Sequence, residues 1–360
     1  MAIIAIDASG GDFAPHAAVL GALEAAKGGI CVQLYGNKEH IQEILMANDP
    51  QWQSLAISIV HCSEVIAMHE EPSKAVLKKK DASLVQAIKA VVDNKVAAVV
   101  SAGHSGAVLV AATLLSGRAY GVLRPVIGSF LPTIGGSTFC LDLGANTDCK
   151  PEYLEQFAYI GHAYVRLVKN IAKPRIALLA NGQEPYKGSQ LVKQTYARLE
   201  QQKVLNFIGN IEARDIFDDS ADVIVCDGFV GNVLLKTAQG AGKAIMRWIV
   251  SESQQSLWSK LTLWLAKSVL GRVKSKIDYV HTGGALLLGV NHPIIIAHGS
   301  SNARAIAQAI KFALTVVQEQ RVPLVNTSLK ALFSSDLLPQ ENTENLLNNH
   351  LNNFRQQQMQ

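Results

Sequence analysis

The sequence predicts an α/β fold, a mostly parallel sheet with helices on both faces, in a two-lobed arrangement. Short apolar runs alternate with helical patterns along nearly the whole chain, and they are too short and scattered for membrane spans. Buried parallel strands have this apolar character, and helical crossovers connect them. The clearest predicted strands are Ile3 to Ile6, Cys31 to Tyr35, Ile57 to His61, Val96 to Ser101, Arg175 to Leu179, Val223 to Cys226 and Ile294 to Ala297.

Two segments depart from this alternation. Residues 127–142 contain Gly135-Gly136 between apolar runs, which predicts a hairpin whose antiparallel pair joins the main sheet. After about residue 336 the composition shifts to Asn and Gln, which predicts a frayed or weakly helical tail over 336–360. No Pro- or Gly-rich linker separates two independent domains, so we expect residues 1–335 to form one two-lobed domain.

Composition limits the classes of protein to which the chain is expected to belong. With 49% hydrophobic and 17% charged residues, the chain of 360 residues is expected to be globular. The net charge of +4 is mild and aromatic residues do not alternate with basic ones, so a nucleic-acid partner is not expected. Five cysteines without CxxC spacing indicate reduced thiols and a cytoplasmic protein. The apolar start lacks the basic region of a signal peptide and is predicted to be a first strand.

Three loops between a predicted strand and a predicted helix share one character. Each combines glycines or small residues with a polar side chain at a helix start, where backbone N–H groups and the helix dipole suit an anion. One such loop alone equally fits an ordinary strand-to-helix turn, but three together favour a phosphate or oxyanion site. They are Gly103-His104-Ser105-Gly106 before helix 107–115, Asp227 to Asn232 before helix 233–244, and His298-Gly299-Ser300-Ser301-Asn302 before helix 303–314.

Within the second of these loops, Asn232 is predicted to cap the helix that Val233 begins. Asp227 ends the preceding buried strand and is expected to orient a neighbour, because its negative charge disfavours contact with phosphate.

The segment Ser253 to Lys276 has five basic residues and no acidic one. Its apolar residues are spaced as on one face of a helix, and they are Leu257, Leu261, Trp264 and Leu265, with Trp258 at the border. This pattern predicts peripheral docking on an anionic membrane, since the run is too short and too charged to span a bilayer. Packing in the core or against a second subunit is the open alternative.

The sequence does not match the common cofactor-binding motifs. Gly240 to Lys243 lacks the first Gly and the final Ser or Thr of a P-loop, and no histidines have metal-ligand spacing, so neither a cofactor nor a metal is expected. Cys226 could attack a thioester, yet the apolar strand around it favours an inert buried thiol.

Ordered motifs along about 300 residues resemble the PlsX family of bacterial phosphate acyltransferases. Ser9 replaces the family's usual Met, Ala213 a Gly, and His104-Ser105 an Asn-Thr pair, which leaves the role of His104 open. The matching segments are Asp7-Ala8-Ser9-Gly10-Gly11-Asp12 with Pro15, SAGHSGA at 101–107, Arg124-Pro125, LDLGAN at 141–146, NGQEPYKG at 181–188, GNIEARD at 209–215, DGFVGNVLLK at 227–236, GGALLLG at 283–289 and AHGSSNA at 297–303.

The resemblance implies a function. The PlsX family makes acyl phosphate from inorganic phosphate and fatty acyl thioesters of acyl carrier protein, for phospholipid synthesis. Its members are homodimers whose fold is like that of isocitrate and isopropylmalate dehydrogenases and of phosphate acetyltransferase. We therefore expect a cytoplasmic, peripherally membrane-associated enzyme, in possible contact with the downstream membrane acyltransferase.

Roles follow for the residues within the matched motifs. The loops at 103–106 and 298–302 are the first choice for phosphate, with Ser105, Ser300 and Ser301 as hydroxyl donors. Lys187, Arg214 and Lys236 are proposed as charge partners, although a solvated salt bridge fits each equally well. Asp227 and Asn232 join these three residues as catalytic candidates. Loop geometry is assigned to Asp7, Gly10, Gly11, Asp12, Asn146 and Asp227, and one of the acids is expected to accept the proton of the attacking phosphate.

Two rival functions stay open. One is a phosphate acetyltransferase-like enzyme that uses a short acyl group on coenzyme A, and the other is a noncatalytic membrane-associated scaffold. Dehydrogenase activity is the weakest option, because no dinucleotide fingerprint follows any predicted strand. The basic run Lys78 to Lys80 is a candidate contact for the acidic carrier protein, or simply a solvated face.

Overall fold

The computed structural model describes residues 1–254, 256–277 and 283–334, and its strands form one continuous sheet. The predicted tail over 336–360 lies outside the described residues. The strands are β1 Ile3–Asp7, β2 Cys31–Gly36, β3 Ile57–His61, β4 Ala98–Ser101, β5 Val126–Pro132, β6 Ser137–Leu141, β7 Arg175–Ala180, β8 Asn206–Glu212, β9 Val223–Val225, β10 Ala285–Leu288 and β11 Ile294–Ile296.

Helices connect most of these strands. The helices are α1 His16–Lys27, α2 Lys38–Asn48, α3 Pro72–Lys78, α4 Ser83–Val92, α5 Ser105–Ala111, α6 Pro151–Lys169, α7 Gln190–Leu199, α8 Gly228–Ser253, α9 Leu257–Ile277, α10 Ala303–Gln318 and α11 Arg321–Ser334.

The sheet changes direction in its middle, at the order β3-β2-β1-β4-β11-β10-β5-β6-β9-β7-β8. Strands β3, β2, β1, β4 and β11 are mutually parallel, and so are β6, β9, β7 and β8. Three antiparallel pairings, β11 with β10, β10 with β5, and β5 with β6, separate the two groups. The two groups therefore run in opposite directions. We call the edge at the carboxyl ends of β1, β4 and β11 the first edge, and that at the carboxyl ends of β6 to β9 the second edge.

Both faces of the sheet are covered, as the sequence predicts. In β1, Ile4 and Ile6 belong to the core cluster on the face that α1 and α10 cover, whereas Ala5 belongs to the cluster on the other face, which α4 covers. Each of these three side chains is at most 1% exposed. This burial on both sides explains why the strands are continuous apolar runs rather than alternating ones.

The hairpin predicted around Gly135-Gly136 is confirmed, since β5 and β6 pair antiparallel from Gly128 with Leu141 to Pro132 with Ser137. The other predicted strands are found within two residues of their expected ends. Strands β8 and β10 are not among the clearest sequence signals, because Gly209 interrupts the apolar residues of β8 and β10 has only four residues between Gly284 and Gly289.

One prediction of a helix start is wrong. Helix α8 begins at Gly228, and the Asp227 carboxylate caps it by accepting a hydrogen bond from the Val230 N–H at 2.9 Å. Asn232 consequently lies inside the helix and does not cap it. Gly231 is also helical and lies against the Asp142 carbonyl, where a side chain would not fit. The glycines therefore serve close packing here rather than a turn.

Helix α9 covers most of the basic segment 253–276. Trp258, Trp264 and Leu265 are 78%, 67% and 65% exposed, Leu261 is also exposed, and the Leu257 side chain lies outside the described set. Helix α9 packs against α8. Among the described residues, no helix is both long enough and apolar enough to cross a bilayer.

Candidate active site

Three loops meet at the first edge. The Asp12 N–H, in the loop after β1, donates to the Gly299 carbonyl in the loop after β11 at 2.8 Å. A Cβ on Gly10 would lie 2.7 Å from the Gly103 nitrogen in the loop after β4. Gly11 has a φ of +106°, and its missing side chain leaves room for the Gly299 carbonyl. We call residues 7–12, 101–106 and 298–302 the three-loop cluster.

Asp7 forms the buried base of the three-loop cluster. Its carboxylate accepts hydrogen bonds from the Ser83 hydroxyl at 2.6 Å and the Ser101 hydroxyl at 2.7 Å. The Ser101 oxygen in turn accepts from the Gly103 N–H at 3.1 Å. Burial raises the pKa of Asp7 while these hydrogen bonds oppose the rise. Asp7 therefore connects β1, β4 and α4 and makes the contacts of a positioning residue.

Two histidines open two of the loops in the same way. His104 Nδ1 accepts a hydrogen bond from the Gly106 N–H at 3.1 Å, and His298 Nδ1 accepts one from the Ser300 N–H at 3.1 Å. An Asn at position 104 can accept the same bond through its amide oxygen, which makes the histidine a substitute of the same local role. Asn302 then caps α10 by accepting from the Ala305 N–H at 3.0 Å.

Helix α8 brings positive charge to the three-loop cluster. The Lys236 ammonium nitrogen contacts His298 Nε2, and Lys243 lies two turns further along the same helix. Partial burial and the charge of Lys243 lower the pKa of Lys236, while Asp12 raises it. Lys243 is not among the residues for which the sequence predicts a role in the site. Its spacing of seven residues from Lys236, which places both on one helix face, is the signal that identifies it.

Another hydrogen-bonded loop lies at the second edge, after β6. The Asp142 carboxylate accepts from the N–H groups of Gly144, Ala145 and Asn146 at 3.1, 2.9 and 2.7 Å. The Asn146 side chain donates to Asp142 at 2.9 Å and to the Pro125 carbonyl at 2.8 Å. Asn146 thus has the contacts of a positioning residue. Asp142 is the more central member, and it was missed although it lies within the matched LDLGAN motif.

The remaining predicted charge partners also lie at the second edge. Lys187 follows β7, and its Nζ lies 5.8 Å from the centre of the Tyr186 ring. Arg214 follows β8, is 74% exposed, and pairs with Glu212 at 3.0 Å and Asp215 at 3.6 Å. Asp227 follows β9 and borders an open cavity. This cavity of about 360 Å³ is lined by Thr147, Asp148, Cys149, Leu191, Asp227 and Phe229.

Helix α8 links the two edges. Asp227 precedes Lys236 by nine residues, which is about 13 Å along a helix. The chain therefore brings two of the three predicted loops together with Lys236, and leaves the Asp227 loop, Lys187 and Arg214 at the other edge. Asn232 lies between them, exposed on α8.

The Cys226 thiol is 3% exposed, and burial raises its pKa well above the usual value. A protonated, enclosed thiol is a poor nucleophile, which fits the structural interpretation of this cysteine. In residues 1–254, 256–277 and 283–334, no group of three or more His, Cys, Asp or Glu side chains is arranged to hold a metal ion.

Comparisons with known proteins show the family of this chain. Residues 2–323 match the family described as "Fatty acid synthesis protein". The chain is 49% identical over 317 residues to a phosphate acyltransferase of Dictyoglomus turgidum, covering 88% of this chain and 94% of that protein. It is 43% identical over 311 residues to a phosphate acyltransferase of Geobacter sp. strain M21, covering 86% and 88%.

Solved structures with the same fold include a phosphotransacetylase from Streptococcus pyogenes, with a TM-score of 0.58 and 16% identity over 88% of this chain and 94% of that one. The EutD phosphotransacetylase from Staphylococcus aureus follows, with a TM-score of 0.53, 15% identity and the same coverage. At such identities the likeness concerns the fold alone. Because the family match and the relatives span most of the chain, the resemblance in the motifs is confirmed, and the chain belongs to the PlsX family of fatty acid synthesis proteins.

Proposed function

We propose that this chain transfers a fatty acyl group from a thioester of acyl carrier protein to inorganic phosphate, giving acyl phosphate for phospholipid synthesis. Membership of the family and the names of the relatives support acyl transfer to phosphate. The observation that carries the proposal is the three-loop cluster beside Lys236, because it combines backbone N–H donors with a cation at one place.

The reaction demands little from protein nucleophiles, since phosphate itself attacks the thioester carbonyl. The site must hold a dianion, remove part of its water and donate hydrogen bonds to the oxyanion that forms. Backbone N–H groups of the three-loop cluster supply fixed donors, and Lys236 with Lys243 supplies positive charge. Asp12 is the acidic group acting on Lys236, so the balance of charge there favours an anion.

Incubation with two donors tests this function. The protein is given inorganic phosphate with either palmitoyl-acyl carrier protein or acetyl-coenzyme A, and the acyl phosphate is trapped as hydroxamate. We expect product from the carrier thioester. Product from acetyl-coenzyme A alone would favour a phosphate acetyltransferase-like enzyme. Phosphate binding without product from either donor would favour the scaffold.

We also propose that α9 docks on an anionic membrane, because its exposed Trp and Leu side chains stand among basic residues. Leu261→Glu with Trp264→Glu should lower the fraction that sediments with anionic vesicles. Met46→Glu, at an exposed apolar position on α2, is the control that should not change it. An unchanged bound fraction in the double variant would contradict membrane docking.

Two further partners belong to this proposal, a second copy of the chain and the carrier protein. Within the basic run 78–80, Lys79 pairs with Glu70 at 2.6 Å, so Lys78 and Lys80 are the better candidates for meeting an acidic carrier. Lys78→Glu with Lys80→Glu should raise the KM for the carrier thioester and leave that for acyl-pantetheine unchanged. Light scattering at several concentrations tests the dimer.

A further inference from the structure

Helix α4 begins beside the three-loop cluster, and its first residue is a buried serine. Ser83 is 2% exposed, and its hydroxyl lies 2.6 Å from Asp7 Oδ1. Ala82, at the capping position of α4, offers no side-chain hydrogen bond to the helix. The carboxylate of Asp7 thus lies at the positive end of the α4 dipole, which favours its negative charge.

The hydrogen bonds around the Asp7 carboxylate form one continuous chain. A backbone N–H can only donate, so the Gly103 N–H at 3.1 Å makes the Ser101 oxygen an acceptor. The hydrogen of the Ser101 hydroxyl is then left for Asp7 Oδ2, at 2.7 Å. An ionised carboxylate accepts and does not donate, so Ser83 donates to Oδ1. The chain therefore runs from α4 through Asp7 and β4 to the loop at 103–106.

Asp7 depends on these donors because it is only 4% exposed. Burial raises its pKa, whereas hydrogen bonds from the Ser101 hydroxyl, the Ser83 hydroxyl and the Ser9 N–H oppose the rise. A buried carboxylate that lacks donors either loses its charge or moves toward water. Of the two hydroxyl donors, only Ser83 belongs to an element outside the three-loop cluster.

A displacement of Asp7 would reach both loops through their glycines. A Cβ on Gly10 would lie 2.6 Å from Asp7 Oδ2, and one on Gly103 would lie 3.3 Å from it. The carboxylate therefore occupies the space beside both backbones. Ser83 itself is held in place, because its N–H donates to the Glu64 carbonyl at 3.3 Å and α4 packs on β1 and β4.

We propose that Ser83 is a positioning residue of the phosphate site, which acts through Asp7 on the loops at 7–12 and 101–106. This inference rests on the proposed function. Ser83 lies outside the motifs that resemble the family, and its buried hydroxyl does not contact the anion. It keeps Asp7 charged and in place, so that backbone N–H groups of the two loops stay directed at phosphate.

Isothermal titration calorimetry of the full-length protein with inorganic phosphate tests this role without an acyl donor. Ser83→Ala removes the hydroxyl and leaves Asp7 Oδ1 buried without that donor. Loss of a hydrogen bond to a buried charged group corresponds to about 10-fold or more in an equilibrium constant. We therefore expect the phosphate Kd and the phosphate KM to rise about 10-fold, and the KM for the carrier thioester to stay unchanged.

Ser83→Thr separates the hydroxyl from the stability of the fold. It keeps the hydroxyl but adds a methyl group at a buried position, where overpacking is destabilising. We expect a lower free energy of unfolding in urea denaturation and a phosphate Kd close to that of the wild type.

Ser116→Ala is the matched control. It removes another buried hydroxyl, which lies 2.9 Å from His292 Nδ1. The Asn291 side chain donates to the Ser116 carbonyl and precedes β11, so this serine lies at the end of β11 opposite the first edge. We expect Ser116→Ala to lower stability and to leave the phosphate Kd unchanged.

Wild-type phosphate affinity in Ser83→Ala would overturn the role of Ser83. An equal loss of affinity in Ser83→Thr or in Ser116→Ala would also overturn it, because the loss would then follow stability rather than the hydroxyl. The proposed function fails on a different result, which is a wild-type protein that binds phosphate but forms no acyl phosphate from either thioester.

Discussion

Gly10 is the glycine of the three-loop cluster at which an added Cβ would lie nearest to its neighbours. A Cβ there would lie 2.6 Å from the Asp7 carboxylate, 2.7 Å from the Gly103 nitrogen and 2.9 Å from the Gly103 Cα. Two of these atoms belong to the backbone and cannot swing away. Overpacking of this kind typically costs about 1 to 3 kcal/mol, and we expect about 2 kcal/mol for Gly10→Ala.

That free energy must be observable in one of two measurements. If the loops stay in place, the strain lowers the free energy of unfolding by about 2 kcal/mol in urea denaturation. If the loop around Gly103 moves instead, phosphate loses its donors, and about 2 kcal/mol corresponds to a rise of about 30-fold in the phosphate KM.

Gly136→Ala is the control, because no atom lies within 4 Å of the added Cβ in the hairpin loop. It should change neither measurement. If Gly10→Ala had both wild-type stability and a wild-type phosphate KM, the close packing of Gly10 against Gly103 would be refuted.

Two further predictions concern stability. Asp227→Ala removes the cap of α8 and should lower the free energy of unfolding by about 1 kcal/mol, whereas Asn232→Ala, inside the helix and exposed, should change it by less than about 0.5 kcal/mol; equal losses measured by urea denaturation would contradict the assigned cap. His162 is 2% exposed in α6, its ring nitrogens have no hydrogen-bond partner in the described part of the chain, and burial followed by the charge of Arg166 lowers its pKa from 6.5 to about 4. As the pH falls, the unfolded chain binds a proton at His162 before the folded chain does. The contribution of neutral His162 to the free energy of unfolding is therefore complete above pH 6.5 and is lost, by about 3 kcal/mol, as the pH decreases to about 4. His162→Leu should remove that part of the pH dependence, and an unchanged dependence of the free energy of unfolding on pH would contradict it.

The sequence predicts the layers of this fold well, because buried parallel strands and helical patterns are local signals. The apolar run at 223–226 and the glycine pair at 135–136 each identify their element. What local patterns do not carry is the direction of the strands. The three antiparallel pairings that involve β10 and β5 reverse the direction of half of the sheet. They place the Asp227 loop at the opposite edge from the loops at 103–106 and 298–302.

In the candidate site too, local sequence patterns identify some residues and not the contacts that distant residues make. His298 and Gly103 are found by their local loop character, and their meeting at the first edge follows from neighbouring parallel strands. The contact of Lys236 with His298 joins residues 62 positions apart through the length of α8. Sequence alone does not give that length, because Gly228 and Gly231 look like a turn where the structure has a helix. The roles of Lys187 and Arg214 as charge partners stay predictions.

The location of the bound anion tests the account most directly. Crystals of the full-length protein, grown without phosphate or sulfate, can be soaked in arsenate, whose anomalous scattering identifies it without ambiguity. We predict an anomalous peak within hydrogen-bond distance of Lys236 Nζ and of backbone N–H groups of the three-loop cluster. A peak found only at the second edge, beside Lys187, Arg214 and Asp227, would contradict it.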